Sequence, residues 1–171
     1  QKSFAALLRV LLLALVLVFA VLLAEFRNFA APFSILISSV LSIGGVVGAL
    51  FITGTTFNVA SFMGLIMVIG IVAKNGILLL DADERFRAEG RDAREAMVMA
   101  AQRRLRPILM TALAAVTGML PLALALGSGS QMLQPLAIAV IGGLIISMAL
   151  SLIVTPVVYF LLTRHSAPEA A

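Results

Sequence analysis

Two polar residues, Lys74 and Asn75, stand side by side inside a long, largely apolar stretch over residues 59–80. A stretch of about 20 apolar residues matches the hydrocarbon thickness of a bilayer, and an ammonium inside it costs about 2.5–3.5 kcal/mol. Such a lysine either takes part in ion pairing and proton transfer, or carries its charge to the nearer interface along its own side chain. Helical side chains lean toward their own N-terminus, so Lys74 leans away from the nearer end at Asp81. This direction favours a buried, functional cation.

A buried lysine requires a partner, and the apolar stretches of this chain contain no carboxylate. Their other polar groups include the hydroxyls of Thr111, Thr117, Ser147, Ser151 and Thr155. A cation inside a membrane usually pairs with an acid. Either the acid is on a helix outside this sequence, or Lys74 is held neutral. Both interpretations favour a proton-linked site.

Arg104 and Thr111 are the other candidates for such a site. They are seven residues apart and share one helix face. Thr111 follows Pro107 by four residues, which places it about 6 Å into the membrane, a depth compatible with Lys74. Two simpler interpretations stay open. The Thr111 hydroxyl could bond to a carbonyl of its own helix, and Arg104 could anchor the chain at lipid headgroups.

Enzyme functions find little support in the sequence. The GSGS run at residues 127–130 has no histidine within the membrane to activate a serine. No His/Glu/Asp cluster is suited to a catalytic metal, and no Walker-type loop is present. The sequence therefore predicts a protein that is not an enzyme and has no cofactor. A proton gradient is the predicted energy source.

Composition identifies the surroundings of these residues as a lipid bilayer. The chain has 171 residues, of which 62% are hydrophobic and only 12% charged, about half the share usual in soluble proteins. Its net charge of +4 would suit nucleic acid in a soluble domain. The arginines instead cluster beside apolar spans, as the positive-inside rule describes, so no nucleic-acid partner is predicted.

The predicted fold is all-α, a polytopic transmembrane bundle of five membrane helices plus one short cytoplasmic amphipathic helix. Small residues spaced for close helix contact, Gly44-x-x-x-Gly48 and Gly45-x-x-x-Ala49, occur in the second span. Asp92 and a Glu three residues later predict a capping box for the short helix, which we expect along the membrane surface. The predicted spans cover residues 6–24, 32–53, 59–80, 107–126 and 135–162, with a charged loop at 81–106 and Pro107 opening the fourth span.

The distribution of basic residues predicts the orientation. The 81–106 loop and the tail at Arg164 are basic, whereas the loops at 54–58 and 127–134 contain no Lys or Arg, so the former are predicted to be cytoplasmic. Lys2 and Arg9 then lie outside, against the rule. A large translocated domain immediately upstream would remove this conflict, and we therefore expect the chain to be part of a longer protein.

Three runs and one loop together resemble the resistance–nodulation–division efflux transporters of bacterial inner membranes. They are GLIMVIGIVAKNGILLLD, RRLRPILMTALAAVTGMLPLAL, the GSGS loop and PLAIAVIGGLIISMALSLIVTPVVYF. The resemblance covers nearly the whole chain and implies the last five of that family's twelve membrane helices. It implies that Lys74 pairs with two aspartates of the family's fourth helix in a proton relay. It further implies that Arg104 and Thr111 support this relay and that Asn75 orients the lysine.

The resemblance also implies partners that this sequence does not contain. They are an N-terminal half with the relay aspartates, a homotrimeric assembly, a periplasmic adaptor and an outer-membrane channel. The implied function is proton-driven export of a drug or another toxic compound, with drug, metal and lipid all open as substrates. The alternative is a non-transporting membrane scaffold in which Lys74 only fixes helix pairing.

Overall fold

The computed structural model describes residues 2–164, with side chains from Ala5 to Leu162. The C-terminal tail with His165 and the side chains of Lys2 and Arg164 lie outside this description. Five long helices, each apolar and long enough to cross a membrane, make up the described chain and confirm the predicted all-α bundle. The helices are α1 Lys2–Phe26, α2 Ala30–Ile52, α3 Val59–Ala88, α4 Ala93–Ala123 and α5 Gln134–Arg164, with a 3-10 turn at Ser130–Met132 before α5.

The short amphipathic segment differs from its prediction, because it is not a separate helix along the membrane surface. Helix α4 begins at Ala93 and continues through Pro107 into the fourth span. Its first turns bury Ala96 and Ala100 against Ala82 and Phe86 of an extended α3. The apolar face of this segment therefore packs against α3 and not against the membrane surface. Proline is tolerated inside a membrane helix where its neighbours satisfy the freed backbone groups.

Capping residues explain where α3 and α4 start. Asp92 caps α4 by accepting from the backbone N–H of Arg94, but the predicted capping box does not form because Glu95 pairs with Arg91 at 2.7 Å. A full capping box instead opens α3, where the side chains of Asn58 and Ser61 each accept from the other's backbone N–H. Two orphan donors at the start of the helix are thereby satisfied.

Helices α2 and α5 approach so closely that only glycine fits at their crossing. A Cβ added to Gly45 would lie 2.9 Å from the carbonyl oxygen of Gly142, and one added to Gly142 would overlap Ala49. Of the two predicted small-residue motifs, the one at Gly45 and Ala49 therefore forms this contact. Gly44, in contrast, has nothing within 4 Å of an added Cβ.

Buried hydroxyls line the same two helices. On α2 they belong to Ser34, Ser38, Ser39 and Ser42, and on α5 to Ser147, Ser151 and Thr155. Several of the serines donate to carbonyls of their own helix, as Ser39 does to Ile35 at 2.9 Å. The hydroxyls of Ser38 and Thr155 lie 2.7 Å apart and join the two helices directly. Small side chains and internal hydrogen bonds together allow this close packing.

Candidate functional site

Lys74 lies on the outward face of α3, beside a groove between α1 and α3. This cavity, of about 350 Å³, has apolar walls apart from the lysine. It is lined by Leu17, Val18, Val21 and Leu22 of α1 and by Gly70, Ala73, Lys74, Ile77 and Leu78 of α3. Within the described part of the chain, no ion pair or hydrogen bond is found for the ammonium. The lysine thus stands at an apolar opening without a counter-charge.

The exposed residues around Lys74 form a stripe along one face of α3. Met63, Met67, Gly70 and Lys74 are all exposed and follow the three-and-four spacing of a single helix face. The opposite face of α3, with Val68 and other apolar residues, is buried in the bundle. Gly70 leaves open space one turn before the lysine, since a Cβ there would meet nothing within 4 Å. We call Met63, Met67, Gly70 and Lys74 the α3 stripe.

Asn75 points in a different direction from its neighbour. It is 6% exposed and lies among the buried residues of α3, whereas Lys74 is exposed. Successive residues of a helix are rotated by about 100°, which accounts for the separation. No hydrogen bond between the two side chains is found in the described region, and the orienting role of Asn75 stays a prediction.

Thr111 is also exposed, on α4, with its hydroxyl bonded to its own helix. It donates toward the carbonyls of Pro107 at 2.9 Å and Ile108 at 3.1 Å. This bond to its own helix is the simpler interpretation of Thr111 that the sequence left open. The neighbouring side chains of Met110 and Leu113 are 66% and 60% exposed, so Thr111 sits within an uncovered apolar face.

Arg104 lies in a second cavity, between the end of α3 and the first half of α4. Ala82, Arg85, Phe86, Glu89 and Arg103 line this cavity with it. The Nε of Arg104 is buried and has no hydrogen-bond partner. The structure therefore does not bring Lys74, Arg104 and Thr111 into one contact network. It places Lys74 at the α1–α3 groove, Thr111 on the outer face of α4 and Arg104 at the α3–α4 hairpin.

A buried ion pair near the end of α3 was missed by the sequence analysis. Asp83 has no exposed surface, and its Oδ2 lies 2.7 Å from Nε of Arg87. The Arg87 guanidinium in turn lies over the ring of Tyr159 on α5, at 5.5 Å from the ring centroid. The four-residue spacing of Asp83 and Arg87 was a usable signal. It was overlooked because residues 81–106 were interpreted as a loop, whereas α3 continues through them.

Comparison with known proteins identifies the family. The sequence profile described as the AcrB/AcrD/AcrF family matches residues 1–163. The chain belongs to the AcrB/AcrD/AcrF family. This assignment confirms the resemblance to resistance–nodulation–division transporters, and the chain is accordingly a multi-pass membrane protein of a transporter family.

Relatives of this AcrB/AcrD/AcrF-family chain align along nearly its whole length. The swarming motility protein SwrC of Bacillus subtilis (strain 168) is 41% identical over 163 residues, which are 95% of this chain and 16% of SwrC. Two crystal forms of a heavy metal efflux pump superpose with TM-scores of 0.82 and 0.81, at 38% and 37% identity. Each alignment covers 96% of this chain and 16% of the pump. The chain thus spans about one sixth of the length of these relatives.

Proposed function

We propose that this chain supplies the lysine side of the proton relay in an efflux pump of the bacterial inner membrane driven by the proton-motive force. The observation that carries the proposal is Lys74, exposed at an apolar groove and without an acid partner among the described residues. Family membership supplies the transport context. The exported compound would be a drug or another toxic compound. The heavy metal efflux pump among the similar structures favours metal ions among the substrates that the sequence left open.

The first step of the argument concerns the charge of Lys74. An ammonium that faces hydrocarbon costs several kcal/mol, whereas pairing with a carboxylate recovers much of that free energy. Gly70 leaves open space on the α3 stripe one turn before Lys74, so another helix can approach closely there. We infer that a helix carrying the relay aspartates packs on this stripe. In this arrangement the carboxylates lie next to Lys74.

The second step concerns coupling. When one of the carboxylates binds a proton, the Coulomb attraction of the pair to Lys74 weakens. The lysine is then free to reorient, and the helix that carries the acids can move relative to α3. Release of the proton restores the pair. In this way the protonation state selects between two packings of the bundle, which is what a proton-coupled transporter requires.

Thr111, Arg104 and Asn75 have supporting roles in this proposal. The exposed hydroxyl of Thr111 lies on an uncovered face of α4, where an incoming helix would bring acceptors to it. Arg104 contributes positive charge near the α3–α4 hairpin. Asn75, buried next to the lysine, has the proposed role of orienting it by hydrogen bonding. Thr111 and Arg104 would act through water or through moving side chains, because neither bonds to Lys74 in this structure.

The proposed assembly extends beyond this chain. It comprises an N-terminal half with the relay aspartates, a homotrimer, a periplasmic adaptor and an outer-membrane channel. The exposed apolar side chains of α1, including Leu13, Val16 and Val21, require lipid or protein contact in any such assembly. The 81–106 region and the C-terminus are proposed to face the cytoplasm, in line with the basic residues of the α3–α4 hairpin.

The decisive experiment replaces Lys74 in the full-length protein that carries this chain. Lys74→Ala is expected to abolish proton-coupled export at normal expression, because the relay loses its cation. Lys74→Arg is also expected to fail, since a guanidinium does not release its proton and has a different geometry. Ile153→Ala, exposed on α5 and outside both the α3 stripe and the Lys74 groove, is the control and should retain export.

Transport is measured as proton-coupled substrate efflux from inverted vesicles or proteoliposomes. Near-normal efflux by Lys74→Ala at equal expression would contradict the relay role. If Lys74→Ala disrupts only assembly, as judged by copurification of the protomers, the scaffold alternative explains the lysine better.

A further inference from the structure

The α3–α4 hairpin contains a cavity of about 350 Å³ whose wall is rich in charged groups. Ala82, Arg85, Phe86 and Glu89 come from α3, and Arg103 and Arg104 come from α4. Three guanidinium groups and one carboxylate therefore border the same small space. This composition differs from the apolar groove beside Lys74, and it indicates a site for a charged group.

Positive charge exceeds negative charge in this cavity. Arg103, Arg104 and Glu89 form no ion pair within the described residues. Arg85 already pairs with Asp81 at 3.2 Å, so it is left out of this balance. One carboxylate thus stands against two unpaired guanidinium groups, which leaves an attractive potential for an anion.

The geometry of the two unpaired arginines suits a bound oxyanion. Nε of Arg104 is buried without an acceptor, although a desolvated charged N–H gains strongly from one. The guanidinium of Arg103 lies 5.8 Å from the ring centroid of Phe86, which restricts its orientation. Two oriented guanidinium groups offer several donors in fixed planes, an arrangement that matches the oxygens of a phosphate.

We propose that this cavity binds a phosphate group, carried either by the headgroup of an anionic phospholipid or by a soluble phosphate compound. A carboxylate ligand would supply fewer oxygens for the same donors. The apolar part of α4 begins just beyond, where Leu105 and Leu109 are 41% and 37% exposed and offer a surface for acyl chains. Arg104 belongs to both proposals, but this one does not depend on the proton relay, because phosphate binding is measured without transport.

The test uses the full-length protein in lipid nanodiscs, with the double variant Arg103→Gln/Arg104→Gln. The control is Arg106→Gln, which removes one positive charge from the same helix but lies outside the cavity. Native mass spectrometry measures retained phosphatidylglycerol against phosphatidylcholine, and calorimetry in detergent measures inorganic phosphate. The double variant should lose at least about tenfold in affinity for one of the two ligands. The control should change by less than about twofold.

The two arms distinguish the sources of the phosphate. If the double variant loses affinity for phosphatidylglycerol, the cavity is a lipid site. If it loses affinity for inorganic phosphate, the cavity binds a soluble ligand. An equal loss in Arg106→Gln, or no loss in either arm, overturns the proposal. If the double variant does not fold, Arg103→Lys/Arg104→Lys keeps both charges but removes the planar forks, and it should still weaken binding. Unchanged affinity in that variant would also contradict the site.

Discussion

The carboxylate of Asp83 accepts a hydrogen bond from Nε of Arg87 at 2.7 Å, at a position where Asp83 has no exposed surface. Two residues earlier on the same helix, Asp81 and Arg85 form a pair of the same spacing whose side chains are 40% and 76% exposed. Arg87 also reaches the ring of Tyr159 on α5. The two pairs therefore share chemistry and spacing but differ in burial, which makes them a direct comparison.

Arg87→Ala is expected to destabilise the protein strongly, because it leaves a buried carboxylate without its counter-charge. Loss of one partner of a buried pair costs about 3–5 kcal/mol. The control Arg85→Ala removes an exposed partner and should cost less than about 1 kcal/mol. Reversible unfolding in detergent, followed by circular dichroism, measures both free energies. Similar losses in the two variants would show that burial of Asp83 does not determine the effect.

Gly142→Ala is expected to separate α2 from α5. The added methyl group would overlap Ala49 and lie 2.8 Å from the carbonyl oxygen of Gly45, so the helices must move apart at about 1–3 kcal/mol. Gly44→Ala is the control, since nothing lies within 4 Å of its added Cβ. Alanine also favours the helix over glycine, so this control should be neutral or more stable. Thermal unfolding midpoints in one detergent compare the two, and an unaffected Gly142→Ala would argue against the close crossing.

The orientation of the chain can be tested with single cysteines, because these 171 residues contain none. Ala88→Cys, exposed at the end of α3, should react with an impermeant thiol reagent only from the cytoplasmic side. Ser128→Cys, exposed in the loop before α5, should react only from the opposite side. Cysteines elsewhere in the full-length protein are replaced beforehand. Labelling from the reverse sides would overturn the orientation inferred from the basic residues.

Much of the fold follows from hydropathy, and the structure agrees with it at the level of helices. Residues 59–80 were predicted as a span and lie within α3, and Gly90, predicted as a helix stop, lies in the turn between α3 and α4 with φ of +84°. The prediction was wrong at the α3–α4 hairpin, where a separate surface helix was expected. Polar composition indicated a loop there, whereas burial of Ala96 and Ala100 against Phe86 extends both helices.

The candidate site was only partly predictable. Lys74 was recognised because a charged side chain in an apolar span raises the free energy of membrane insertion. Arg104 and Thr111 were chosen as candidate site residues from helical spacing and family resemblance. Spacing along one helix does not determine which neighbouring helix a side chain contacts. The structure places these residues at separate surfaces. Whether they communicate stays a prediction for the Lys74 experiment.

The sequence by itself determined that the chain crosses a membrane as five helices, because backbone groups in lipid must be satisfied within a helix and long apolar runs do so. Only the tertiary structure decided which face of each helix is buried. Core and lipid are both apolar, so hydropathy in such helices does not distinguish Gly45, in contact with α5, from Gly44, in open space. Close packing between helices makes that choice, and it also leaves Lys74 outside the bundle while it buries Asp83.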